Sequence, residues 1–469
     1  MNYTKIEKSW ISLDGGTIGM VLDTEGNRFL RAEGDTFGLT GEIEPGLFPL
    51  SAGNAAALRS KIPWLTPQPL GLKTSAGTGD RLGLATPGHV LAFEGTGISP
   101  VFAQQSVREN VRTHRTPQQV MDDAMWGVFE MGWKEPWGAD GDHLKTPEDA
   151  KSFFEAGFTF FTVDPGEHVR KVDENAPEAQ LKDALKDFDF EQFGTKLETL
   201  LESYTAAPLP VEGVSCNRLD ILTALQKYGK AILHVKKMFT VISDLHHGRE
   251  FDFEVSVDET DWPTSVFEHY FIANEMKRLG IRWTSLAPRF IGRFEKGVDY
   301  IGDLKAFEAS YKLHAAVQKH FGTYKISLHS GSDKFSIYKI CVVLSDDKVH
   351  LKTAGTSYLE ALRVLAMVNP GLFREIYTFS RNRYDTDKVS YHVSAEFAKM
   401  PDPEQLSDAQ LPALLDNFHA RQALHVCFGS VLDLYGKEFL AILKKNSDLY
   451  DQTIKKHFDR HLADFIAGK

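Results

Sequence analysis

The chain has 469 residues, with 53 Lys and Arg side chains against 64 Asp and Glu, which gives a formal net charge of −11. This acidic balance argues against nucleic acid or an anionic membrane as the main partner. The three cysteines, Cys216, Cys341 and Cys427, have no disulfide or zinc-site spacing, which is typical of a reducing compartment. Because we find no secretory signal and no apolar run of ~20 residues, we expect a cytoplasmic protein.

Turn sequences punctuate the first segment, residues 1–65, where DGG, TEGN and AEGD separate short apolar runs. This spacing predicts β-hairpins. We therefore expect a small β-rich elaboration at the N-terminal end of the protein.

A glycine-rich segment follows, with the sequence KTSAGTGDRLGLATPGH at residues 73–89. It lacks the lysine of a P-loop, and its glycines do not have the G-x-G-x-x-G spacing of a dinucleotide-binding turn. We interpret the segment as a tight loop that places Asp80 and Arg81 at the entrance of a helix. A glycine turn with a surface ion pair is the alternative.

Residues 66–409 alternate short β-rich runs with helical patterns, and a long charged region lies at about 170–205. One helix is predicted from about 217 to 245 and another from 266 to 280, where a glycine ends it. Eight strands that alternate with helices predict an α/β fold of the (β/α)8 barrel type; an open, doubly wound sheet is the alternative. The predicted strands are PLGLKTSA, PWGADGDHL, GFTFFTVD, FDFEVSVDE, RWTSLAPRF, YKISLHSG, VHLKTAG and YHVSA.

The C-terminal segment, residues 410–469, has a helical pattern with mixed charge, as in YGKEFLAILKKNSDLYDQTIKKHF. Mixed charge along an amphipathic helix is typical of a helix with one solvent-exposed face. We expect this extension to pack outside the barrel or against a second subunit of a homo-oligomer.

The strand FDFEVSVDE has one apolar and one acidic face. Side chains alternate along a strand, so Asp252, Glu254 and Asp258 share the face that points into a barrel. Buried carboxylates are costly unless they meet a metal, a cation or a proton. In the alternative, Asp252 lies in solvent at the start of the strand while Glu254 pairs with a buried lysine.

Polar residues also end other predicted strands. PWGADGDHL ends near Asp142 and His143, YKISLHSG carries His329, and VHLKTAG carries His350 and Lys352. A single histidine of this kind is more often a hydrogen-bonded core residue, but barrel active sites are built at the C-terminal strand ends. Imidazoles and carboxylates without cysteine suit a divalent metal such as Zn, Mn, Ni or Co. Three protein ligands would leave positions open for substrate oxygens.

Two further segments suit an anionic or polyol ligand. GSDKFS offers Ser332, Asp333 and Lys334 in a loop that opens a helix, where backbone amides and a lysine can bind an anionic group. LAPRF contains Arg289, which suits a carboxylate through a bidentate pair. Surface salt bridges are the alternative for both segments.

With these residues in place, the sequence resembles the tagaturonate epimerase family, whose members interconvert tagaturonate and fructuronate. The resemblance covers about residues 70–435 and implies a metal-dependent sugar-acid epimerase with a barrel fold. Some relatives also act slowly on neutral ketohexoses, and the N-terminal and C-terminal segments of this chain carry no matching motif. The matching motifs are GDRLGLATPGH at 79–89, GADGDHLKT at 138–146, FEVSVDETDWPT at 253–264, LAPRF at 286–290, FEKGVDYIGD at 294–303, SLHSGSDKFS at 327–336, HLKTAGTSYLEALR at 350–363 and RQALHVCFGS at 421–430.

The resemblance marks these motifs as functional, and the individual roles are assigned from their chemistry. We expect His143 and His329 to bind the metal, with Asp258 as a weaker third ligand. Asp142 is expected to act as the base and Glu254 as the opposing acid–base group, since carboxyls in different environments hold different pKa values. The residues expected to contact the substrate are Asp80, Arg81, Arg289, Asp333, Lys334 and Lys352.

The reaction implied by the resemblance limits the mechanism. The two uronates differ at a carbon β to the ketone, where α-deprotonation cannot exchange the configuration. Retro-aldol cleavage and re-addition can, if the metal acts as a Lewis acid and stabilises the enediolate. The alternatives are an NAD-dependent epimerase, for which no fingerprint exists here, a metal-dependent aldolase that releases three-carbon fragments, and a non-catalytic sugar-binding module.

Overall fold

The structure is a computed structural model that describes residues 3–173 and 176–466. Residues 1–2, 174–175 and 467–469 belong to the predicted N-terminal elaboration, charged region and C-terminal extension, and they lie outside the described residues. Among the described helices, none combines the length and the apolar content that a membrane span requires.

Two β-sheets form the framework. A closed barrel of eight parallel strands confirms the predicted (β/α)8 fold and excludes the open, doubly wound sheet. A smaller antiparallel sheet of four strands precedes it and confirms the predicted β-rich elaboration. The small sheet consists of β1 (Thr4–Leu13), β2 (Gly16–Leu22), β3 (Arg28–Gly34) and β4 (Leu47–Pro49). The barrel consists of β5 (Ser75–Gly79), β6 (Ser99–Ser106), β7 (Gly138–Leu144), β8 (Phe160–Val163), β9 (Asp252–Ser256), β10 (Ser285–Ala287), β11 (Lys325–Leu328) and β12 (Val349–Thr353), and it closes where β12 pairs with β5.

Helices surround the barrel, and several begin at residues that cap them. The predicted helix at 217–245 begins after Asn217, whose side chain accepts hydrogen bonds from the amides of Leu219 and Asp220. The helix predicted at 266–280 ends at Arg278, close to Gly280 with its φ of 75°. The helices are α1 (Ala52–Lys61), α2 (Thr86–Phe93), α3 (Val107–Thr113), α4 (Pro117–Met131), α5 (Pro147–Glu155), α6 (Glu178–Asp183), α7 (Leu197–Thr205), α8 (Arg218–His246), α9 (Val266–Arg278), α10 (Leu304–Phe321), α11 (Phe335–Leu344), α12 (Thr356–Val368), α13 (Pro370–Asp387), α14 (Phe418–Val426), α15 (Phe428–Lys445) and α16 (Ser447–Ile466).

Two strand predictions need correction. The second barrel strand, β6, was not predicted, because SPVFAQQS contains a proline and two buried glutamines and therefore has no hydrophobic alternation. The segment YHVSA was predicted as the last strand, and this is wrong. Its Ser394 amide donates to the Gln422 side chain, and the amide of Glu396, two positions later, donates to His419, so side chains take the place of strand neighbours.

The two faces of β9 lie as the alternation predicts. Phe253 and Val255 pack into the hydrophobic core outside the barrel, while Glu254 is fully buried and contacts residues inside the barrel. The alternative that places Asp252 in solvent is wrong, because its buried carboxylate accepts hydrogen bonds from the amides of Leu70 and Gly71. The other half of that alternative is observed, since Glu254 does contact a buried lysine, Lys352.

The C-terminal helices lie on the outside of the barrel. The last of them, α16, packs against α2, α11 and α12. Its contact with α2 is close, because a side chain at Gly88 would collide with Ile454. The helix α16 therefore lies across α2, α11 and α12, which follow the first and the last two barrel strands.

Candidate active site

Two histidines meet at the C-terminal mouth of the barrel. His143 is at the end of β7 and His329 directly follows β11, and their Nε2 atoms are 2.9 Å apart. His143 has a left-handed backbone with a φ of 53°, at an irregularity in the pairing of β7 with β8. Such strain in a residue other than glycine or asparagine is typical of functional sites. The two histidines predicted to share a metal are thus brought together.

Asp164 fixes the orientation of the His143 ring. Its Oδ2 atom lies 3.1 Å from His143 Nδ1, so in the neutral ring this nitrogen carries the hydrogen and Nε2 has the lone pair toward His329. Burial alone would lower the pKa of His143, but Asp142 and the hydrogen bond to Asp164 raise it to about 9. Burial acts to raise the pKa of Asp164, and the contact with His143 lowers it to about 2.

Carboxylates surround the two facing nitrogens. Asp142 Oδ1 lies 3.4 Å from His329 Nε2, and Glu259 Oε1 lies 3.7 Å from His143 Nε2. Asp258, the weaker ligand candidate, is 3.9 Å from the other ring nitrogen of His329, and its carboxylate accepts hydrogen bonds from Ser256 and Ser330. The structure therefore places Glu259 nearer to the facing nitrogens than Asp258.

The donor set fits a divalent metal. Ligand atoms of Asp142, His143 and His329 all lie within 4.8 Å of one another. A four-coordinate ion with bonds of about 2.1 Å holds its ligand atoms about 3.4 Å apart, close to the separations observed. Imidazole and carboxylate are ligands that Zn, Mn, Ni and Co accept, and Asp164 supplies the outer carboxylate that metal-bound histidines usually have.

Lys352 on β12 neutralises the floor of the site. Its buried Nζ lies 2.7 Å from Asp140 Oδ2, 2.8 Å from Asp142 Oδ1 and 3.3 Å from Glu254 Oε1. It also donates to Thr162 Oγ1 at 2.6 Å. One cation therefore faces three carboxylates, which can be buried only because it is there.

The pKa values of the three carboxyl groups in this cluster shift in different directions. Burial acts to raise the pKa of Asp142 and of Glu254, but the Lys352 ammonium, followed by nearby imidazoles, holds both well below their usual range. Burial, together with the charges of Asp142 and Glu254, raises the pKa of Asp140 to about 7 despite Lys352. Burial would lower the pKa of Lys352 itself, but the three carboxylates raise it. Asp142 and Glu254 are therefore ionised at neutral pH.

A cavity of about 290 Å³ opens beside His329. Its wall includes Arg289, whose Nη1 donates to the Asp258 carbonyl at 3.3 Å and whose Nε has no hydrogen-bond partner among the described residues. Lys296, which sequence reasoning did not identify, lines both this cavity and a narrow gap beside Asp142 and His143. The lining combines the basic side chains of Arg289, Arg293 and Lys296 with the acidic side chains of Asp258, Glu259 and Glu295, a mixture that suits a polar ligand with an anionic group.

The predicted glycine loop divides into a strand and a turn. Gly77 and Gly79 belong to β5, where a side chain would collide with Gln104 or with the Thr353 carbonyl, so they allow strand packing. Asp80 and Arg81 follow in the turn after the first barrel strand. The alternative of a surface ion pair is wrong, since both residues are buried and Arg81 pairs with Glu109 at 2.8 Å.

Asp80 and Arg81 differ in what their side chains reach. The Asp80 carboxylate accepts hydrogen bonds from three amides of its own turn, those of residues 82, 83 and 85. Arg81 lines the gap beside His143 while its guanidinium lies 3.7 Å from the centre of the Phe428 ring. Arg81 therefore lies next to the candidate active site, whereas the Asp80 side chain stabilises its own turn.

Asp333 and Lys334 also contact the protein itself. Asp333 Oδ1 lies 3.1 Å from both Arg421 Nη2 and His457 Nε2. The Lys334 ammonium donates to three backbone carbonyls, those of Ser332, Glu295 and Val298. Both side chains are buried, and they lie behind the loop that follows His329 rather than in the cavity.

Glu360 beside Asp333 is expected to make the protein sensitive to acid. Burial acts to raise its pKa, but His457, Arg421 and Arg363 lower it to about 2, below the 4.5 of a free glutamate. This difference stabilises the fold by about 3 kcal/mol above pH 4.5, and the contribution is lost as pH falls from 4.5 toward 2. Glu360→Gln should flatten this dependence in urea unfolding at pH 7 and pH 3, unlike Glu438→Gln on the surface. Equal slopes for wild type and Glu360→Gln would contradict the prediction.

Sequence reasoning missed several residues of the site. Asp140 precedes Asp142 by two positions, so strand alternation could have placed it on the inward face. Glu259 directly follows Asp258 in the motif FEVSVDETDWPT, and Lys296 lies in the motif FEKGVDYIGD, but neither position has a periodic signal. Their places depend on the course of loops.

A closed parallel barrel, with imidazoles and carboxylates at its C-terminal mouth and a cavity beside them, defines a barrel enzyme that acts on a small molecule. Residues 25–465 match the tagaturonate epimerase family. A tagaturonate/fructuronate epimerase from Thermotoga maritima is 46% identical over 419 residues, which are 88% of this chain and 85% of that protein. The chain belongs to the tagaturonate epimerase family and is an isomerase of the epimerase type.

Solved structures agree with this family. The fructuronate-tagaturonate epimerase of Cohnella laeviribosi, in a glycerol complex, superposes with a TM-score of 0.93 at 34% identity, covering 99% of this chain and 96% of that one. Its native structure gives a TM-score of 0.92 at 34% identity with the same coverage, 99% and 96%. The barrel, the N-terminal sheet and the C-terminal helices are therefore all within the region of similarity.

Proposed function

We propose that this protein interconverts D-tagaturonate and D-fructuronate with the help of a divalent metal. The observation that carries the proposal is the pair of facing His143 and His329 nitrogens, 2.9 Å apart, in a chain of the tagaturonate epimerase family. The cavity beside them contains the basic side chains of Arg289, Arg293 and Lys296, which can bind the carboxylate of a sugar acid.

His143 and His329 would hold the metal together with the Glu259 carboxylate, and Asp142, 3.4 Å from His329 Nε2, would be kept for the base. Bound there, a divalent ion such as Zn, Mn, Ni or Co supplies Lewis-acid stabilisation of negative charge on oxygen. The protein orients the site through Asp164, which fixes the ring of His143. Asp258 is left to support the loop through Ser256 and Ser330.

The reaction we propose is retro-aldol cleavage followed by re-addition. An ionised carboxylate accepts the proton of the hydroxyl on the carbon that changes configuration. The bond from this carbon to its neighbour then breaks, which gives an aldehyde and leaves the electron pair in an enediolate. The aldehyde fragment turns its other face, the carbon–carbon bond forms again, and the carboxylate returns the proton to the new alkoxide.

Asp142 is the base in this proposal, because it borders the gap beside His143 and Lys352 keeps it ionised. Glu254 is fully buried and lies 3.3 Å from His329 Nδ1, so it acts on the site as the opposing group through this ring. Arg289 and Arg81 would contact the substrate from the two cavities. Lys352 would not contact the substrate; its positive charge would neutralise the buried carboxylates of Asp140, Asp142 and Glu254.

The test is turnover of fructuronate by the purified protein, before and after removal of metal by a chelator, with elemental analysis of the same sample. We expect interconversion with tagaturonate, about one bound ion per site, nearly complete loss on chelation and recovery when Mn, Zn, Ni or Co is added. Full turnover by metal-free protein would refute the metal-dependent mechanism. Accumulation of free three-carbon products would instead identify an aldolase.

A further inference from the structure

Lys296 is a cation in the active-site cavity without a direct ion pair, and the Glu259 carboxylate, on which its charge acts from farther away, already faces His143 and Arg108. Its Nζ donates to Ser330 Oγ at 3.3 Å, and among the described residues no carboxylate is close enough to form an ion pair with it. The neighbouring cations Arg81 and Arg108, by contrast, face Glu109 at 2.8 Å and Glu259 at 3.7 Å. A half-buried ammonium of this kind is suited to bind an anionic group of a ligand.

The loop that carries Lys296 is held by two buried basic residues, Lys334 and Arg421. The Lys334 ammonium donates to the carbonyls of Glu295 at 2.8 Å and Val298 at 2.5 Å, on either side of Lys296. Arg421 of α14 donates to the carbonyl of Gly297 at 2.6 Å. The backbone on both sides of Lys296 is therefore held by Lys334 and Arg421.

The C-terminal helix α16 in turn holds the residue before Lys334. The amide of Asp333, which has a φ of 60°, donates to His461 Nε2 at 3.0 Å, and Asp333 Oδ1 lies 3.1 Å from His457 Nε2. His461 Nδ1 lies 3.1 Å from the carbonyl of His457, so it donates there and leaves Nε2 free to accept. We call Asp333, His457 and His461 the α16 clamp.

The α16 clamp also has the composition of a metal site, since its ligand atoms lie within 4.8 Å of one another. Its hydrogen bonds indicate another use. Both ring nitrogens of His461 are engaged, and Asp333 Oδ1 already pairs with the cation Arg421 at 3.1 Å. A dication beside a buried guanidinium would be repelled, so the clamp is best explained by its hydrogen bonds.

We propose that Lys296 binds the carboxylate of the sugar acid and that the α16 clamp is a positioning device for it. This inference rests on the proposed function and adds to it the group that selects acids over neutral sugars. The order of contacts runs from His457 and His461 to Asp333, from Asp333 to Lys334, and from Lys334 to the loop of Lys296. His457 and His461 are positioning residues, because neither touches the cavity.

The test measures the KM of fructuronate and the inhibition constant of fructose, a neutral ketohexose, in the same assay. Lys296→Met should raise the KM of fructuronate about 10- to 100-fold, as for loss of a charge-assisted hydrogen bond, and leave the inhibition constant of fructose unchanged. We call the KM of fructuronate divided by the inhibition constant of fructose the selectivity ratio. His461→Leu should raise this ratio, as Lys296→Met does. His461→Gln, which keeps an acceptor for the Asp333 amide, should restore most of it.

A double-mutant cycle separates positioning from general damage. If the α16 clamp acts through Lys296, His461→Leu should change the ratio little when Lys296→Met is already present. Ile454→Val, on the same helix against Gly88, is the control and should leave the ratio unchanged. If His461→Leu does not fold, His457→Gln takes its place in the comparison with Lys296→Met, and the same test of the α16 clamp can be made.

Each outcome has one meaning. An unchanged KM of fructuronate in Lys296→Met would refute the inference, and so would effects of Lys296→Met and His461→Leu that multiply. A selectivity that responds to Arg289→Met alone would assign the carboxylate to Arg289 instead. One additional metal ion per chain that His457→Gln removes would identify the clamp as a metal site. Wild-type protein without fructuronate turnover would refute the proposed function itself.

Discussion

His143→Ala is expected to remove the bound metal and lower turnover at least about 10³-fold. Loss of an outer-shell partner of a metal ligand typically costs about 10- to 100-fold in metal affinity, and loss of the ligand itself costs more. The variant keeps a Cβ, so the strain of the left-handed backbone at this position does not change. Elemental analysis and fructuronate turnover of the same preparation measure both effects.

Glu254→Gln is the matched control for this prediction. Glu254 contacts His329 and Lys352 but lies on the far side of the ring from the facing nitrogens, so the variant should keep its metal. Turnover should still fall by orders of magnitude, because the neutral amide removes the negative charge that faces His329 Nδ1 and Lys352. Stoichiometric metal and full turnover in His143→Ala would show that His143 is not a metal ligand. A mild effect of Glu254→Gln on turnover would show that Glu254 has only a structural role.

The residues that sequence reasoning could place are those fixed by strand periodicity. His143, Glu254 and His329 were assigned to inward faces or C-terminal ends of strands, and a barrel brings all such positions to one mouth. Because the alternation of side chains is local, it needs no knowledge of which strands are neighbours. The family motifs then narrowed the chemistry to an epimerase.

The residues that could not be placed depend on contacts between distant segments. Asp333 and Lys334 look like an anion-binding turn in GSDKFS, but His457, more than 120 positions later, pairs with the Asp333 carboxylate, and the carbonyl of Glu295 accepts a hydrogen bond from the Lys334 ammonium. The Lys296 loop is similar, since its partners Lys334 and Arg421 are supplied by other elements. No periodicity in the sequence encodes such pairings.

The histidines of α16 link these two groups of residues. His457 and His461 are one helical turn apart and face the same side of α16, as i and i+4 positions do. That spacing was visible in the sequence, but its meaning required the position of Asp333. The C-terminal helices therefore belong to the architecture of the active site, although they supply no residue to the facing nitrogens.

Lys352→Met is expected to destabilise the protein by about 3–5 kcal/mol, because it leaves Asp140, Asp142 and Glu254 buried without their cation. The carboxylates would then take up protons, and a protonated Asp142 cannot act as the base, so turnover should fall as well. Lys325→Met is the comparison variant, since Lys325 is also buried inside the barrel but donates to Ser75 and the Lys73 carbonyl, and its charge acts first on Asp252 and then on Glu254 and Asp140. The measurements are urea unfolding and fructuronate turnover at pH 7. Undiminished stability of Lys352→Met, or an equal loss of turnover in Lys325→Met, would show that charge balance under Asp142 does not support the reaction.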